Sequence, residues 1–210
     1  MTRLTPALLA LIVSAGAVDA PKFPILKTLE SRYNQAQSLQ VQFSETYSGA
    51  GRAPKTEAGT LFLRKPGRMR WEYSSPAGKL FVSDGKIVYL YLPSSGRVQK
   101  GSLKQAEDMR APLAFLLGKL NFEKEFQNIE AMPVAGGTRI TADPRAANLP
   151  YSKVEFLVTP AFEIQKLQIT GQDGSVLDFT FNAERLNPPV ADKLFKFTVP
   201  PGAEVVEAGQ

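Results

Sequence analysis

Apolar and polar residues alternate in short runs along most of this chain, and the runs are broken by glycine- and proline-rich turns. A period of two over four to eight residues specifies half-buried β-strands, so the pattern limits the fold to antiparallel β-structure before any motif is considered. Leu39, Val41 and Phe43 alternate with Gln40, Gln42 and Ser44, and Leu61 and Leu63 follow a turn-rich stretch over residues 48–54. Met69, Trp71 and Tyr73 alternate with Arg68, Arg70 and Glu72; Leu80 and Val82 then lead into Asp84-Gly85, a two-residue hairpin signal. Residues 87–92 are apolar at every position, so both faces of that strand should meet apolar surroundings. The second half repeats the pattern with Val154, Phe156 and Val158, then Phe162, Ile164, Leu167 and Ile169 before a Gln172-Asp173-Gly174 turn. Leu177, Phe179 and Phe181 follow, and Phe195, Phe197 and Val199 close the series ahead of Pro200-Pro201-Gly202. Short strands joined by tight turns describe a meandering antiparallel sheet or barrel in one domain.

Two segments break the β pattern. Residues 23–40 carry Ile25, Leu26, Leu29, Tyr33 and Ala36 at helical spacing, with Lys27, Glu30, Arg32 and Gln35 opposite, which predicts an amphipathic helix packed on a larger body. Residues 105–119 contain Met109, Pro112, Leu113, Phe115, Leu116 and Leu117, an unusually apolar short helix to find between strands. The N-terminus has one arginine, an apolar run from Leu4 to Val13 and small residues thereafter, the organisation of a secretory signal peptide. Residues 1–17 form the expected signal, with cleavage after Ala17 or alternatively after Ala20, leaving residues 18–210 as one domain.

The absences narrow the chemistry. With no cysteine and no histidine, the chain has no thiol nucleophile, no His-based triad and no Cys/His zinc site, and it has no lipid-attachment cysteine of its own. A mild excess of 25 Lys+Arg over 20 Asp+Glu is spread along the strands without forming a basic block, so a nucleic-acid partner is not expected. Glu72, Glu107, Asp108, Asp143 and Asp173 are carboxylates available for acid–base work, but Asp84 and Asp173 precede turn glycines, and Glu72, Glu155 and Asp178 fall on the polar side of strands. The reading is a protein that is not an enzyme, with no catalytic residues, metal or cofactor.

The stretch Gly59-Thr60-Leu61-Phe62-Leu63-Arg64-Lys65-Pro66-Gly67-Arg68-Met69-Arg70-Trp71-Glu72-Tyr73 resembles the outer-membrane lipoprotein carrier (LolA) family, in which a strand, a basic-basic-proline turn and a tryptophan strand follow one another. Leu80-Phe81-Val82-Ser83-Asp84-Gly85-Lys86, the run from Pro112 to Leu117, and the ending from Asn187 to Gly202 are similar to further family segments, in the same order. The resemblance implies an incomplete antiparallel β-barrel of about 11 strands, closed by short helices that form a lid over an apolar cavity. It implies lipid-cavity residues Met69, Trp71, Leu90 and Leu92, and lid-helix residues Leu113, Phe115, Leu116 and Leu117. Lys65, with Arg64 before it, stands where the family often has an arginine that latches the lid; a lysine there is a point charge rather than a planar fork. The implied function is a monomeric periplasmic shuttle for lipid-modified lipoproteins. An inner-membrane LolCDE-type ABC transporter would load it, and a LolB-like outer-membrane acceptor would receive the cargo. A periplasmic lipid or glycolipid binding or sensing protein of the same architecture, an envelope hydrolase, and an adhesion domain with a filled interior are the alternatives.

Overall fold

The computed structural model describes residues 23–49, 51–103 and 120–207. The expected signal segment, Glu107 and Asp108, and the apolar run with Leu113, Phe115, Leu116 and Leu117 lie outside these residues. Helix α1 (Pro24–Gln35) is followed by β1 (Ser38–Gly49), β2 (Arg52–Arg64), β3 (Arg68–Ser75), β4 (Leu80–Asp84), β5 (Ile87–Leu92) and β6 (Arg97–Ser102). A one-turn helix α2 (Phe122–Glu125) leads into β7 (Phe126–Val134), β8 (Gly137–Pro144), β9 (Tyr151–Val158), β10 (Ile164–Gly171) and β11 (Val176–Leu186). A 3-10 turn (Asp192–Phe195) and β12 (Glu204–Glu207) end the described chain.

All the strands among the described residues belong to one 12-stranded sheet in the order β12-β6-β5-β4-β3-β2-β1-β11-β10-β9-β8-β7. It is two meanders, β1–β6 and β7–β11, joined where β1 pairs antiparallel with β11. Among the described residues the sheet is open: β7 and β12 are its two edges and do not pair with each other. β12 is the exception to antiparallel pairing, running parallel to β6.

Local chemistry explains the joints. At the β4–β5 turn, Asp84 Oδ1 accepts hydrogen bonds from the amides of Lys86 and Ile87, and Gly85 takes φ +101°, a conformation open to glycine. Asp173 caps the β10–β11 turn in the same way through the amide and hydroxyl of Ser175. The segment over residues 48–54 is mostly strand rather than turn, because β1 and β2 extend through it to a short reversal around Gly51. Gly59 opposes Phe43 and Tyr73, and a Cβ there would sit 2.0 Å from the Glu72 carbonyl oxygen, so glycine is needed for β2 to approach β3.

One face of the sheet carries the core. Leu39, Val41 and Phe43 of β1, Leu61 and Leu63 of β2, and Met69, Trp71 and Tyr73 of β3 are buried together with Val154, Phe156, Leu167, Phe179 and Phe181 from the other meander. Leu26, Leu29 and Tyr33 of α1 pack into the same cluster. Each such side chain contributes roughly 1.5–3 kcal/mol on burial, so this face, not the helices, holds the domain together.

The opposite face is half covered by the C-terminal segment. Phe195 is buried, Phe197 stacks on Tyr89 with ring centroids 4.9 Å apart, and Val82 and Val98 are fully buried on that side. This explains why β5 is apolar throughout: Val88 and Leu90 face the core while Tyr89 faces the C-terminal segment. It also corrects one expectation. Phe195, Phe197 and Val199 do not form a ladder strand; the chain crosses the back of β3–β5 there, and pairing resumes only at β12.

Candidate functional site

The register across β1–β4 arranges the core-facing residues into level rows. Leu39, Leu63, Met69 and Ser83 make the first row; Val41, Leu61, Trp71 and Phe81 the second; Phe43, Gly59 and Tyr73 the third. Trp71 is 1% exposed and contacts Phe43 edge-on at 4.7 Å and Phe179 at 6.1 Å. Met69, in the first row, and Trp71, in the second, are both buried in the apolar face. Leu90 is half-buried against the same cluster, whereas Leu92, also half-buried, ends β5 outside it. Within the described residues these positions pack against neighbouring side chains, and a small pocket opens at the first row, between Tyr33, Ala36, Leu39, Leu63, Lys65 and Leu186.

Lys65 lies at this end of the face. Its Nζ donates to the carbonyls of Tyr33 at 2.7 Å and Asn34 at 3.1 Å, in the last turn of α1 where carbonyls have no partner within the helix and where a cation also opposes the negative end of the helix dipole. Burial pushes the Lys65 ammonium below its ordinary pKa. Arg64 points the other way, donating to the Val190 carbonyl and to Asp192 Oδ1 at 2.6 Å, an oxygen that Arg68 also binds. Lys65 restrains α1 and Arg64 restrains the C-terminal segment; the lid residues they were expected to hold lie outside the described residues.

Several buried polar groups tie α1 to its surroundings, and these were not singled out in the sequence. Glu184 accepts from Arg32 Nη2 at 2.6 Å and from the Tyr33 hydroxyl at 2.8 Å, and that hydroxyl in turn accepts from the Ile164 amide. Burial, with the Glu184 charge nearby, raises the Tyr33 pKa. Glu184 faces inward because of a bulge: Gln40 pairs with Arg185 but Gln42 with Asn182, and the extra residue puts Ala183 at φ +53°. The alternation that buries Phe179 and Phe181 is thereby shifted, and Glu184 and Leu186 follow on the same face. Next to Tyr33 on α1, Asn34 brackets the Leu120 backbone, accepting from its amide and donating to its carbonyl, while Glu30, one turn earlier, accepts from the Phe122 amide. Glu30 and Arg32, assigned by helical spacing to the solvent side of the helix, are turned inward because each has a buried partner to satisfy it.

At the far end of the rows, beyond Phe43, Gly59 and Tyr73, the face becomes polar. Glu45 and Glu57 sit level with one another; Tyr73 donates to Glu45 at 3.0 Å, and Glu57 is paired with both Lys79 and Lys55. Glu57 is 6% exposed. Burial raises the Glu57 pKa, the hydrogen bonds from Lys55 and Lys79 more than reverse this, and the carboxyl lies below its ordinary value. Lys79 also stands over the Tyr73 ring, 4.1 Å from its centroid.

The model of the outer membrane lipoprotein carrier protein LolA family matches residues 34–198, a span running from the end of α1 through the C-terminal crossing. The chain belongs to this family. An outer-membrane lipoprotein carrier protein of Dechloromonas aromatica is 30% identical over 201 residues, covering 95% of this chain and 92% of that one. One from Nitrosomonas europaea is 28% identical over 209 residues, covering 98% and 99%. Among solved structures, a conserved protein of Thermus thermophilus superposes with a TM-score of 0.53 at 14% identity, covering 87% of this chain and 96% of that one, a likeness of fold. Family membership accounts for the order of elements on which the sequence resemblance rested, from the Arg64-Lys65-Pro66 turn to the C-terminal proline turn.

Proposed function

We propose that this protein is a periplasmic carrier that accepts the acyl chains of lipoproteins on the apolar face of its sheet and shuttles them from the inner to the outer membrane. The observation that carries the reading is the continuous apolar face centred on Trp71 in a chain of the lipoprotein-carrier family. The chemistry suits the task. Exposing a buried methylene to water costs about 0.8 kcal/mol, so a lipid with several long chains does not cross an aqueous space unaided at a useful rate. A carrier offers apolar surface with few directional contacts, so that affinity falls between donor and acceptor and release stays possible. In this reading residues 1–17 direct export, and Leu113, Phe115, Leu116 and Leu117 supply further apolar surface over the cargo. Their place in the chain supports that role. Leu103 contacts the Gly67 turn and Leu120 is bracketed by Asn34, so the described residues on either side both lie at the Lys65 end of the face. A LolCDE-type transporter would load the carrier and a LolB-like acceptor would unload it.

The test is a release assay. The processed protein, residues 18–210, is incubated with energised inner-membrane vesicles holding a labelled lipoprotein, and the soluble fraction is resolved by size exclusion. Label eluting with the protein as an approximately one-to-one complex is the expected result. Label that stays in the membrane while the protein elutes with free lipid refutes the lipoprotein cargo and assigns the face to lipid or glycolipid binding.

A further inference from the structure

Resting on the acyl-binding reading above, we propose that the Glu45–Glu57–Lys79 set is a polar floor that ends the acyl-binding face and sets the length of chain it accepts. Three apolar rows precede the floor, and β1 and β2 change character at the same level: Phe43 gives way to Glu45 and Gly59 to Glu57, while Tyr73 of β3, in the last apolar row, reaches that level with its hydroxyl and donates to Glu45. Along β2 the rise from Leu63 to Glu57 is about 20 Å at about 3.4 Å per residue. One leaflet of bilayer hydrocarbon is about 15 Å deep, so the apolar length suits one membrane acyl chain with little to spare.

The floor is costly to breach. Glu57 is buried and Lys79 partly so, with side chains 8% and 13% exposed; the Glu57 carboxylate pairs with Lys79 and also with the exposed Lys55. A methylene pushed among them gains no apolar contact and separates a buried ion pair, which is strongly unfavourable. The floor lies under the β1–β3 column only: on β11, Phe179 is level with Glu45, so the chain is assigned to the column beside Trp71. Glu57 and Lys79 thus act as specificity-determining residues, through what they exclude.

The experiment measures binding of straight-chain saturated fatty acids, from dodecanoic to docosanoic acid, to residues 18–210 by Trp71 fluorescence. It is repeated on Glu57→Leu/Lys79→Leu, in which both charges leave together so that neither is stranded. The unmodified protein is expected to gain affinity with length and then plateau. The variant is expected to keep gaining, by about fourfold per added methylene, past the same point. Affinity that rises through the longest acid in the unmodified protein overturns the floor, and this result needs no variant to fold. A variant that keeps its thermal transition and plateaus at the same length overturns the assignment to Glu57 and Lys79. Absence of binding by every acid overturns the acyl-binding reading itself rather than the floor alone.

Discussion

Removing the Glu184 carboxylate should loosen α1 from the sheet, and the size of the effect follows from what it holds. Glu184→Ala deletes the acceptor of two hydrogen bonds, from Arg32 at 2.6 Å and Tyr33 at 2.8 Å. Breaking a buried ion pair from one side typically costs about 3–5 kcal/mol. Here the Arg32 side chain is 27% exposed and keeps Glu163 at 3.5 Å, which places the expected loss near the lower end, at about 3 kcal/mol. Glu184→Gln keeps an acceptor without the charge and should cost about 1–2 kcal/mol. Tyr33→Phe leaves the Ile164 amide without its hydroxyl acceptor, for about 1–3 kcal/mol. Because Glu184 and Tyr33 share a bond, the double variant should cost less than the two single changes added together. Urea unfolding followed through the single tryptophan, Trp71, and by circular dichroism gives all four values. A Glu184→Ala variant within about 0.5 kcal/mol of the unmodified protein, the range of ordinary surface changes, would refute the claim that this bulge-positioned carboxylate anchors the helix.

Other outcomes are equally specific. Gly59→Ala should lower stability by about 3 kcal/mol or more, read as a fall in Tm, because the new methyl meets the Glu72 backbone and not a movable side chain. The Glu57 pKa lies below its ordinary value in the folded protein, so its stabilising contribution is present above that value and is lost as pH falls through the folded pKa. Between about pH 5 and pH 3 the unmodified protein should therefore lose more unfolding free energy than Glu57→Leu/Lys79→Leu, and equal losses would remove Glu57 from the acid response. Lys65→Leu strips the donor from the Tyr33 and Asn34 carbonyls and is expected to change cargo release more than uptake in stopped-flow exchange; equal effects on both would argue against a latch.

Alternation made β1 to β3 and β9 to β11 legible, since each buries every second residue on one face, whereas β4 and β5 were legible as apolar runs beside the Asp84-Gly85 turn, with both faces covered. Strands β6, β7 and β8 were not, for physical reasons. β6 buries only Val98, β7 is an edge strand bulged at Asn128 and carrying Pro133, and β8 offers only Ile140 and Ala142 to the core. The aromatic alternation at residues 195–199 was real, but it reflects an extended chain lying on a sheet rather than pairing within one. At the candidate site, Met69 and Trp71 were visible because burial is periodic. Glu45 and Glu57 could have been found: they share the parity of Phe43 and Leu61, so the same alternation turns them inward. Glu184 could not, because its orientation depends on one bulged residue that no local pattern announces. The helix-face assignments of Glu30 and Arg32 failed because partners distant in sequence satisfy charges that spacing alone sends to solvent.

The central claim is that acyl chains lie against Trp71. The most direct measurement loads the protein with a lipopeptide whose acyl chains carry bromine at mid-chain and records Trp71 fluorescence, since bromine quenches only at near contact. Strong quenching by the brominated lipopeptide, and none by its unbrominated counterpart bound to the same extent, is the expected result. Full binding with Trp71 fluorescence unchanged would contradict the account and place the cargo elsewhere on the molecule.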